Sequence, residues 1–256
     1  MSFFPIGDFH IESIEQAEIF SDYVNRRPED IVVLLGDIIH FANSFWNVSK
    51  EVSIEEKKEN IPKDVSIWEK FISSVKKKTI YYLGTHETFA LKVILKLYPD
   101  LKPKIISNFV YIPRDLQLIP IGNKRKPVFI TGLHIPDNIY PNVRSQEFLK
   151  RKETVEKWIE NKVESLSLEY PEKTYVCTHD PCDFYYTNMG YSGLTKMLKK
   201  CSPKIHYHAH IHSNIQKTIV GKTPSINRSF IALSKLEPKA LEPTTTHLRL
   251  LYSRDI

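Results

Sequence analysis

The sequence predicts an α/β fold in one globular domain. Short apolar runs alternate along the chain with longer segments whose apolar residues recur at helical spacing, a pattern typical of α/β proteins. The sequence contains no internal repeat and no low-complexity tract. With 256 residues, of which 41% are hydrophobic, the chain can bury one sizeable core. We therefore expect a single domain over residues 1–256.

Six apolar runs are the predicted strands. The clearest is 31–35, an uninterrupted aliphatic run, which indicates a strand buried on both faces. The first strand, 2–6, ends just before a group of polar side chains. The remaining predicted strands are 79–83, 128–131, 174–177 and 204–207.

Five segments have the spacing of amphipathic helices. They are 13–26, 64–77, 88–98, 145–168 and 190–200. Residues 47–63, rich in Lys and Glu, predict a surface insertion between a strand and the following helix, and we expect this segment to be the most mobile. After residue 213 only β-type runs remain, at 214–220, 229–233 and 246–252, and they predict the completion of a second sheet.

Composition excludes several classes of protein. No apolar run approaches the roughly 20 residues of a membrane span, and Pro5, Asp8 and His10 interrupt the N-terminal apolar stretch as no secretory signal tolerates. We expect a soluble, cytoplasmic protein without membrane contact. The three cysteines lack paired spacing, which predicts reduced thiols rather than disulfides or a zinc knuckle.

The net charge of +6 and a pI near 9.0 would attract a phosphorylated ligand or a polyanion. However, the basic clusters at 76–78, 124–126 and 150–152 are short and interspersed with acidic residues. Two interpretations therefore stay open: nucleic-acid binding and an ordinary solvated surface.

Residues that can bind metal follow the predicted strands. Asp8 and His10 lie two residues apart after the first strand, and at the period of a strand both side chains would project to the same side. Asp37 follows the second strand, and its two oxygens could bridge two cations. His86, His179 and the pair His208 and His210 follow later strands. The carboxyl ends of strands in an open α/β sheet meet at one crevice, where ligands bind.

Each of these elements alone is a weak signal. Asp37 could simply cap a helix, His86 could be a hydrogen-bonded core histidine, and a lone H-x-H pair is more often an exposed strand face than a metal site. Their conjunction, with Asp and His side chains at the ends of successive apolar strands, predicts a metal site.

The series D-x-H at Asp8, G-D-x-x-H at Asp37, G-T-H-E at His86, His179, and H-x-H at His208 resembles the calcineurin-like metallophosphoesterase family. The resemblance spans residues 7–210. It implies a four-layer α/β/β/α sandwich of two mixed sheets, and hydrolysis of a phosphate mono- or diester by a hydroxide activated on two divalent cations.

The same resemblance implies a role for each matching residue. Asp8, His10 and His210 would hold the first metal, Asp37 would bridge, and His179 and His208 would hold the second. His86 would contact the phosphate and protonate the leaving group. Glu87 and His40 would orient ligands or His86, although His40 could instead only pack against the insertion. The absence of thiolate ligands favours Mn²⁺, with Fe and Zn as alternatives.

Two positions depart from the family pattern. Thr85 stands where the family has an Asn that ligates the second metal, so we expect that metal to bind weakly. Tyr207 replaces the glycine before the H-x-H pair. His134 is a rival for the single-histidine motif, for which we favour His179. We expect His206 and His212 to be structural or surface histidines.

Three functional classes follow from these residues. The first is an active phosphoesterase, the second a catalytically weak or inactive binding scaffold on the same fold, and the third a metal-stabilised structural protein. Retained His86 favours the enzyme, whereas Thr85 favours the scaffold. The basic balance and the G-D-I-I-H motif, which is similar to the repair-nuclease branch, slightly favour a nucleotide or nucleic-acid substrate.

Overall fold

The structure is a computed structural model, and it describes residues 2–41, 54–88, 90–91, 109–122, 127–135, 146–164, 166–183, 190–212 and 217–231. Within these ranges the strands are β1 (Phe3–Ile6), β2 (Ile31–Leu34), β3 (Thr79–Tyr81), β4 (Val110–Tyr111), β5 (Ile119–Ile121), β6 (Val128–Leu133), β7 (Thr174–Thr178), β8 (Ile205–His208), β9 (Lys217–Val220) and β10 (Thr223–Asn227). The helices are α1 (Ile14–Asn25), α2 (Ile54–Ser74), α3 (Gln146–Glu164) and α4 (Ser192–Cys201), with a 3₁₀ turn at Pro171–Lys173.

The strands form two sheets. The first contains β1, β2, β3 and β4 in that order, all parallel. The second has the order β5-β6-β7-β8-β10-β9, in which the four inner strands are parallel and the two edge strands are antiparallel to their neighbours. The predicted α/β class is confirmed, and β9 joins the second sheet as the 214–220 run predicted.

The residues of β2 explain why the two sheets stack. Successive side chains of a strand point to opposite faces. Ile31, Val33 and the following Leu35 therefore face the second sheet, where Ile130 and Cys177 belong to the same buried cluster. Val32 and Leu34 face the opposite way, into a core that they share with helical residues. A continuous aliphatic run is thus needed because both faces of β2 are buried.

Helices cover the outer face of each sheet. Phe20 of α1 and Trp68 of α2 lie in the core on the outer side of the first sheet. Ile159 of α3 and Leu198 of α4 lie in the corresponding core on the second sheet, together with Val176. The layer order is therefore α/β/β/α, as the family resemblance implied.

Several element boundaries differ from the sequence predictions. Helix α2 begins at Ile54, ten residues before the predicted 64, so the second half of 47–63 is helical, and the part before residue 54 lies outside the described residues. The helix predicted at 88–98 already begins at Thr85, and its residues beyond 91 lie outside the described part. In the predicted strand 229–233, Ser229 forms only a bridge to Gly7, and the next two residues are helical. Residues 246–252 are not among those described.

Strand β10 was not among the strands predicted from the sequence. Pro224 lies before the residues of β10 that pair with β8, which are Ser225, Ile226 and Asn227, so the missing N–H does not interrupt that ladder.

None of the helices in the described ranges is long and apolar enough to cross a membrane. The cysteines at 177, 182 and 201 are buried and unbridged, as expected.

Candidate metal centre

Backbone hydrogen bonds join the loops that follow the strands. The amides of Asp8 and His10, after β1, donate to the carbonyl oxygens of Gly36 and Asp37, after β2, each at 3.0 Å. The amide of Ala209, after β8, donates to the carbonyl oxygen of His179, after β7, at 2.9 Å. Between the sheets, the amide of Gly7, after β1, donates to the carbonyl oxygen of Arg228, after β10, at 3.1 Å, so the carboxyl ends of strands from both sheets meet in one place.

The backbone at this meeting point is unusual. Asp8, His10, Asp37 and His210 all have left-handed φ angles, of 58°, 48°, 48° and 64°. Such conformations are uncommon for residues other than glycine and cluster at functional sites. Strand β1 ends at Ile6, so Asp8 and His10 lie in the loop after it, and the two-residue period of a strand does not explain why they lie close together.

Two glycines allow the loops after β2 and β3 to touch. A Cβ on Gly84 would lie 2.3 Å from both the amide nitrogen and Oδ1 of Asp37. Gly36 has φ of 89°, and a Cβ there would lie 2.3 Å from the backbone of Gly84. Any larger side chain at either position would push the Asp37 carboxylate away from its present place.

Glu87 holds the Asp37 loop from below. Its buried carboxylate accepts hydrogen bonds from three consecutive amides, those of Asp37 (2.9 Å), Ile38 (2.6 Å) and Ile39 (2.9 Å). It also accepts from the amide of Gly84 at 2.9 Å. Glu87, expected to orient ligands or His86, makes these four bonds to the backbone of the two loops that contain Asp37 and His86.

The side chains at the strand ends form two adjacent groups of potential ligands. We call Asp8, His10 and His212 the open half-site, and Asp37, His179 and His210 the compact half-site. Within each group, one ligand atom of every residue lies within 4.8 Å of the others. The two groups border each other, because His179 Nδ1 lies 3.7 Å from Asp8 Oδ1.

The compact half-site is closed around His179. The Nδ1–H of His179 donates to the carbonyl oxygen of Leu35 at 2.9 Å, which in a neutral ring leaves a lone pair on Nε2. That nitrogen lies 3.1 Å from Asp37 Oδ2 and 2.9 Å from His210 Nδ1. Burial opposes a charge on His179, but the Asp37 carboxylate outweighs it and raises the pKa of His179 well above its usual value. A proton on Nε2 of His179 could be donated to only one of these two neighbours, whereas a cation bound among the three atoms would interact with all of them.

The open half-site has a buried base and an exposed rim. Asp8 is fully buried, and burial raises the pKa of its carboxyl. Its Oδ2 lies 3.6 Å from His212 Nε2, whose side chain is 41% exposed. Nε2 of His10 is buried and has no hydrogen-bond partner among the described residues. Because buried polar nitrogens are normally paired, this atom fits a metal ligand.

The histidines after β7 and β8 are grouped differently from the sequence expectation. His210 lies in the compact half-site instead of beside Asp8 and His10, and His212, expected to be structural or surface-exposed, lies there in its stead. His208 is the last residue of β8 and belongs to neither half-site of the described chain; its Nδ1 donates to the carbonyl oxygen of Ala209 at 3.0 Å. Because β8 ends at His208, the two histidines in the half-sites, His210 and His212, are those that follow the strand.

His206 has the structural role that was expected. It is fully buried, its Nε2–H donates to Thr178 Oγ1, and its Nδ1 accepts from Ser225 Oγ, both at 2.8 Å. Thr178 in turn donates to the carbonyl oxygen of Asp180 at 2.6 Å. This network fixes the end of β7, from which His179 projects.

His134, the rival to His179, is occupied elsewhere. Its Nδ1 accepts from the amide of Leu83 at 2.9 Å, and its Nε2–H donates to the carbonyl oxygen of Pro113 at 2.7 Å. Tyr207 lies within β8, where its ring packs against Phe3 and Tyr175, so no turn is needed at that position.

His86 and His40 stand beside the open half-site. The Nδ1–H of His86 donates to the backbone carbonyl oxygen of His40 at 2.8 Å, and its Nε2 lies 3.7 Å from Asp37 Oδ2. The amide of His86 donates to Asp37 Oδ1 at 2.9 Å. Thr85 is buried at the start of the same helical turn. Of the predicted ligands, Asp8, His10, Asp37, His179 and His210 are thus members of the two half-sites, whereas His208 is a member of neither.

The residue types fit divalent cations. Carboxylate and imidazole groups suit Mn²⁺, Fe²⁺ or Zn²⁺, and in both half-sites one such ligand atom from each residue lies within 4.8 Å of the others. Burial lowers the pKa of His210 to about 3 and that of His10 well below its usual value, so both rings are neutral and able to bind metal at neutral pH.

Comparisons with known proteins bear on the family and the fold. The sequence model of the calcineurin-like phosphoesterases matches residues 1–214. No curated protein matches the chain by sequence. Among solved structures, a phosphopantetheinyl hydrolase from Mycobacterium tuberculosis is 11% identical, with 95% of this chain and 94% of that chain covered and a TM-score of 0.52. A dimetal phosphatase from Danio rerio is 12% identical, with 89% and 86% covered and a TM-score of 0.52. At such low identity these structures share the fold.

Proposed function

The chain belongs to the calcineurin-like phosphoesterase family, and on that premise we propose that it hydrolyses a phosphate mono- or diester with two divalent cations, one in each half-site. Asp8, His10 and His212 hold one cation, and His179 and His210 hold the other. Asp37 serves both, since its Oδ2 is 3.1 Å from His179 and its loop is bonded to the loop of Asp8 and His10. Thr85 is the remaining candidate ligand of the compact half-site.

When bound, two such cations supply Lewis-acid chemistry that activates water and neutralises phosphate charge. The protein supplies the proton that the leaving group needs. His86 is the donor, because its Nδ1–H is committed to the carbonyl oxygen of His40 and its Nε2 faces the site beside Asp37. In the cationic ring, the proton on Nε2 is the one transferred to the departing alkoxide, a general-acid role worth about 10²–10⁴-fold in rate.

Mn²⁺ is the cation we favour. The described half-sites contain only carboxylate and imidazole ligands, and the three cysteines are buried outside them. Oxygen and imidazole ligands without thiolate suit Mn²⁺, while Fe and Zn remain the alternatives to be tested by metal analysis.

The distribution of charge bears on the class of substrate. The described segments that contain the candidate ligands, after β1, β2, β3, β7 and β8, contain neither lysine nor arginine, whereas Arg114 follows β4 and Arg228 follows β10. Lys76, Lys77 and Lys78 directly precede β3, which places them at the opposite edge of the parallel sheet. This placement weakens the support that the basic clusters gave to a nucleic-acid polyanion, and a substrate with one or two phosphates suits the described site equally well.

The convergence of His179 Nε2, Asp37 Oδ2 and His210 Nδ1 is the observation that carries this proposal. The test is a substrate panel with added Mn²⁺, containing an aryl monoester, an aryl diester, single-stranded DNA and cyclic nucleotides, repeated in the presence of a chelator. We expect hydrolysis of at least one class with Mn²⁺ and none with the chelator. Metal uptake without hydrolysis of any ester would support a binding scaffold, and the absence of both would contradict the proposal.

A further inference from the structure

Residue 40 makes contact with two different site histidines through two different atoms. The imidazole Nδ1 of His40 lies 3.1 Å from Nδ1 of His10. The backbone carbonyl oxygen of the same residue accepts the Nδ1–H of His86 at 2.8 Å. The three rings lie close together, with centroids 5.2 Å apart for His10 and His40 and 4.8 Å apart for His40 and His86.

The contact with His10 has only one arrangement of protons that leaves His10 able to bind metal. In the proposed function, the buried Nε2 of His10 faces the cation and must carry a lone pair. The ring proton of His10 is then on Nδ1, and it is donated to Nδ1 of His40. Metal-binding histidines commonly donate their second ring N–H to a carboxylate or carbonyl oxygen, and here an imidazole nitrogen takes that place.

The ring of His40 has the complementary arrangement of protons. As an acceptor at Nδ1 it carries its own proton on Nε2, and this nitrogen lies 3.8 Å from Oε1 of Glu12. The side chain of His40 is 22% exposed and that of Glu12 is 47% exposed, so solvent reaches this outer end. The backbone of His40 is fixed independently, because its amide donates to the carbonyl oxygen of Ile11 at 3.0 Å.

We infer that His40 is a positioning residue with separable duties: its imidazole fixes the ring of His10 for metal binding, and its carbonyl oxygen fixes the ring of His86 for proton transfer. The inference rests on the proposed function. Because every residue has a carbonyl oxygen, substitution of the side chain removes the first duty and leaves the second.

Two substitutions of His40 distinguish the role of its Nδ1 as a hydrogen-bond acceptor from the role of its ring in filling space. In His40→Asn, the amide oxygen lies near the former position of Nδ1 and can still accept the hydrogen bond from His10. In His40→Leu, the side chain has a similar size but no acceptor. We expect His40→Leu to weaken binding of one Mn²⁺ by about 10–100-fold, the usual cost of losing a partner behind a metal ligand. His40→Asn should stay close to the wild type.

Calorimetric titration with Mn²⁺ measures these affinities without reference to activity. The weakened site should be the one that His212→Gln also weakens, since His212 shares a half-site with His10. His134→Asn is the control: His134 is a partly buried histidine with both ring nitrogens bonded outside the half-sites, and its substitution should leave both Mn²⁺ affinities unchanged.

Activity provides the second readout. At saturating Mn²⁺, the ratio of kcat for a nitrophenyl ester to kcat for an alkyl ester should be the same in His40→Leu as in the wild type, because the bond from His86 to the carbonyl oxygen remains. Wild-type affinity in His40→Leu, equal weakening in His40→Asn, or a changed leaving-group ratio would each overturn the inference.

Two further results would also overturn it. Uptake of a third Mn²⁺ that His40→Leu abolishes would show that His10, His40 and His86, whose ligand atoms also lie within 4.8 Å of one another, form a metal site of their own. A wild type that binds no Mn²⁺ would remove the proposed function together with this inference. Intact wild-type binding with no effect of His40→Leu would remove the inference alone.

Discussion

The two half-sites use the same kinds of ligand but are held in different ways. The compact half-site is nearly closed: the side chains of His179, Asp37 and His210 are 1%, 4% and 11% exposed, and His179 Nε2 lies 3.1 Å from Asp37 Oδ2 and 2.9 Å from His210 Nδ1. The open half-site keeps His212 at 41% exposure and 3.6 Å from Asp8. Rigidity therefore favours tighter metal binding at the compact half-site. Charge favours tighter metal binding at the open half-site, which has the carboxylate of Asp8 in addition to Asp37, which both cations would share.

Affinity of a metal site depends on both the charge and the rigidity of its ligands. The compact half-site has one carboxylate, which it shares, and Thr85 where the family has an Asn ligand. We therefore expect the open half-site to bind its cation more tightly despite its looser geometry. This comparison can be tested by substitutions that affect both half-sites, neither, or only one of them.

Asp37 serves both cations in the proposed function, so its loss should have the largest effect. Asp37→Asn keeps the size of the side chain but removes the charge that both cations share. We expect most of the bound metal to be lost, and phosphoesterase activity with it, because metal affinity depends on deprotonated ligands. Metal analysis of the purified variant beside the wild type measures this. Full metal content in Asp37→Asn would show that neither half-site depends on it.

His86 belongs to neither half-site, so its substitution should leave metal binding intact. We expect His86→Ala to retain both cations and to lose about 10²–10⁴-fold in kcat on alkyl esters. The loss should be smaller on nitrophenyl esters, whose leaving group needs no proton. Steady-state kinetics on matched substrates measure the difference, and an equal loss on both would argue against proton donation by His86.

His212 belongs only to the open half-site, so its substitution should affect one of the two half-sites. His212→Gln should weaken one Mn²⁺ site by about 10-fold or more and leave the other unchanged. The matched substitution, His208→Gln, changes a histidine four residues earlier that belongs to neither half-site, and it should leave both affinities close to those of the wild type. The reverse result in the two calorimetric titrations would restore the ligand pair expected from the sequence.

His206 supports only the compact half-site, through Thr178 at the end of β7. Burial lowers the pKa of His206 well below its usual value, so the folded protein keeps this ring neutral. An unfolded histidine binds a proton below about pH 6.5, and protons therefore favour the unfolded chain. The stability that neutral His206 provides is complete above that pH and is lost as the pH falls towards the folded pKa.

The measurement is urea unfolding of metal-free protein at pH 7.5 and pH 5.5. Between these values the wild type should lose about 1.4 kcal/mol more free energy of unfolding than His206→Gln, which cannot bind a proton. An equal loss in the two proteins would mean that the His206 ring is protonated in the fold.

The fold and the location of the site follow from local sequence, whereas the grouping of ligands does not. The aliphatic run at 31–35 already requires two buried faces, and polar residues after several such runs predict a common crevice. The repeated His-x-His pattern from 206 to 212, however, looks the same in either register until the end of β8 is known. The four amides bound by Glu87 and the left-handed turns at Asp8 and Asp37 depend on contacts between loops distant in sequence, which no local pattern contains.

Thr85 leads to the smallest expected change, an improvement of the weaker site. Thr85→Asn should tighten Mn²⁺ binding at the compact half-site by about 10-fold. The Asn side chain reaches further than that of Thr, and its amide oxygen is a better ligand than a hydroxyl. The open half-site should not change. A Thr85→Asn variant with unaltered affinities would mean that another group already completes the compact half-site.

Calorimetric titration of metal-free wild-type protein with Mn²⁺ tests the account most directly. We predict two equivalents bound with clearly different affinities, with the tighter site weakened about 10-fold or more by His212→Gln and the weaker one strengthened by Thr85→Asn. Two equal sites would contradict the inequality of the half-sites, and no uptake of Mn²⁺, or of Fe²⁺ and Zn²⁺ in parallel titrations, would contradict the metal centre itself.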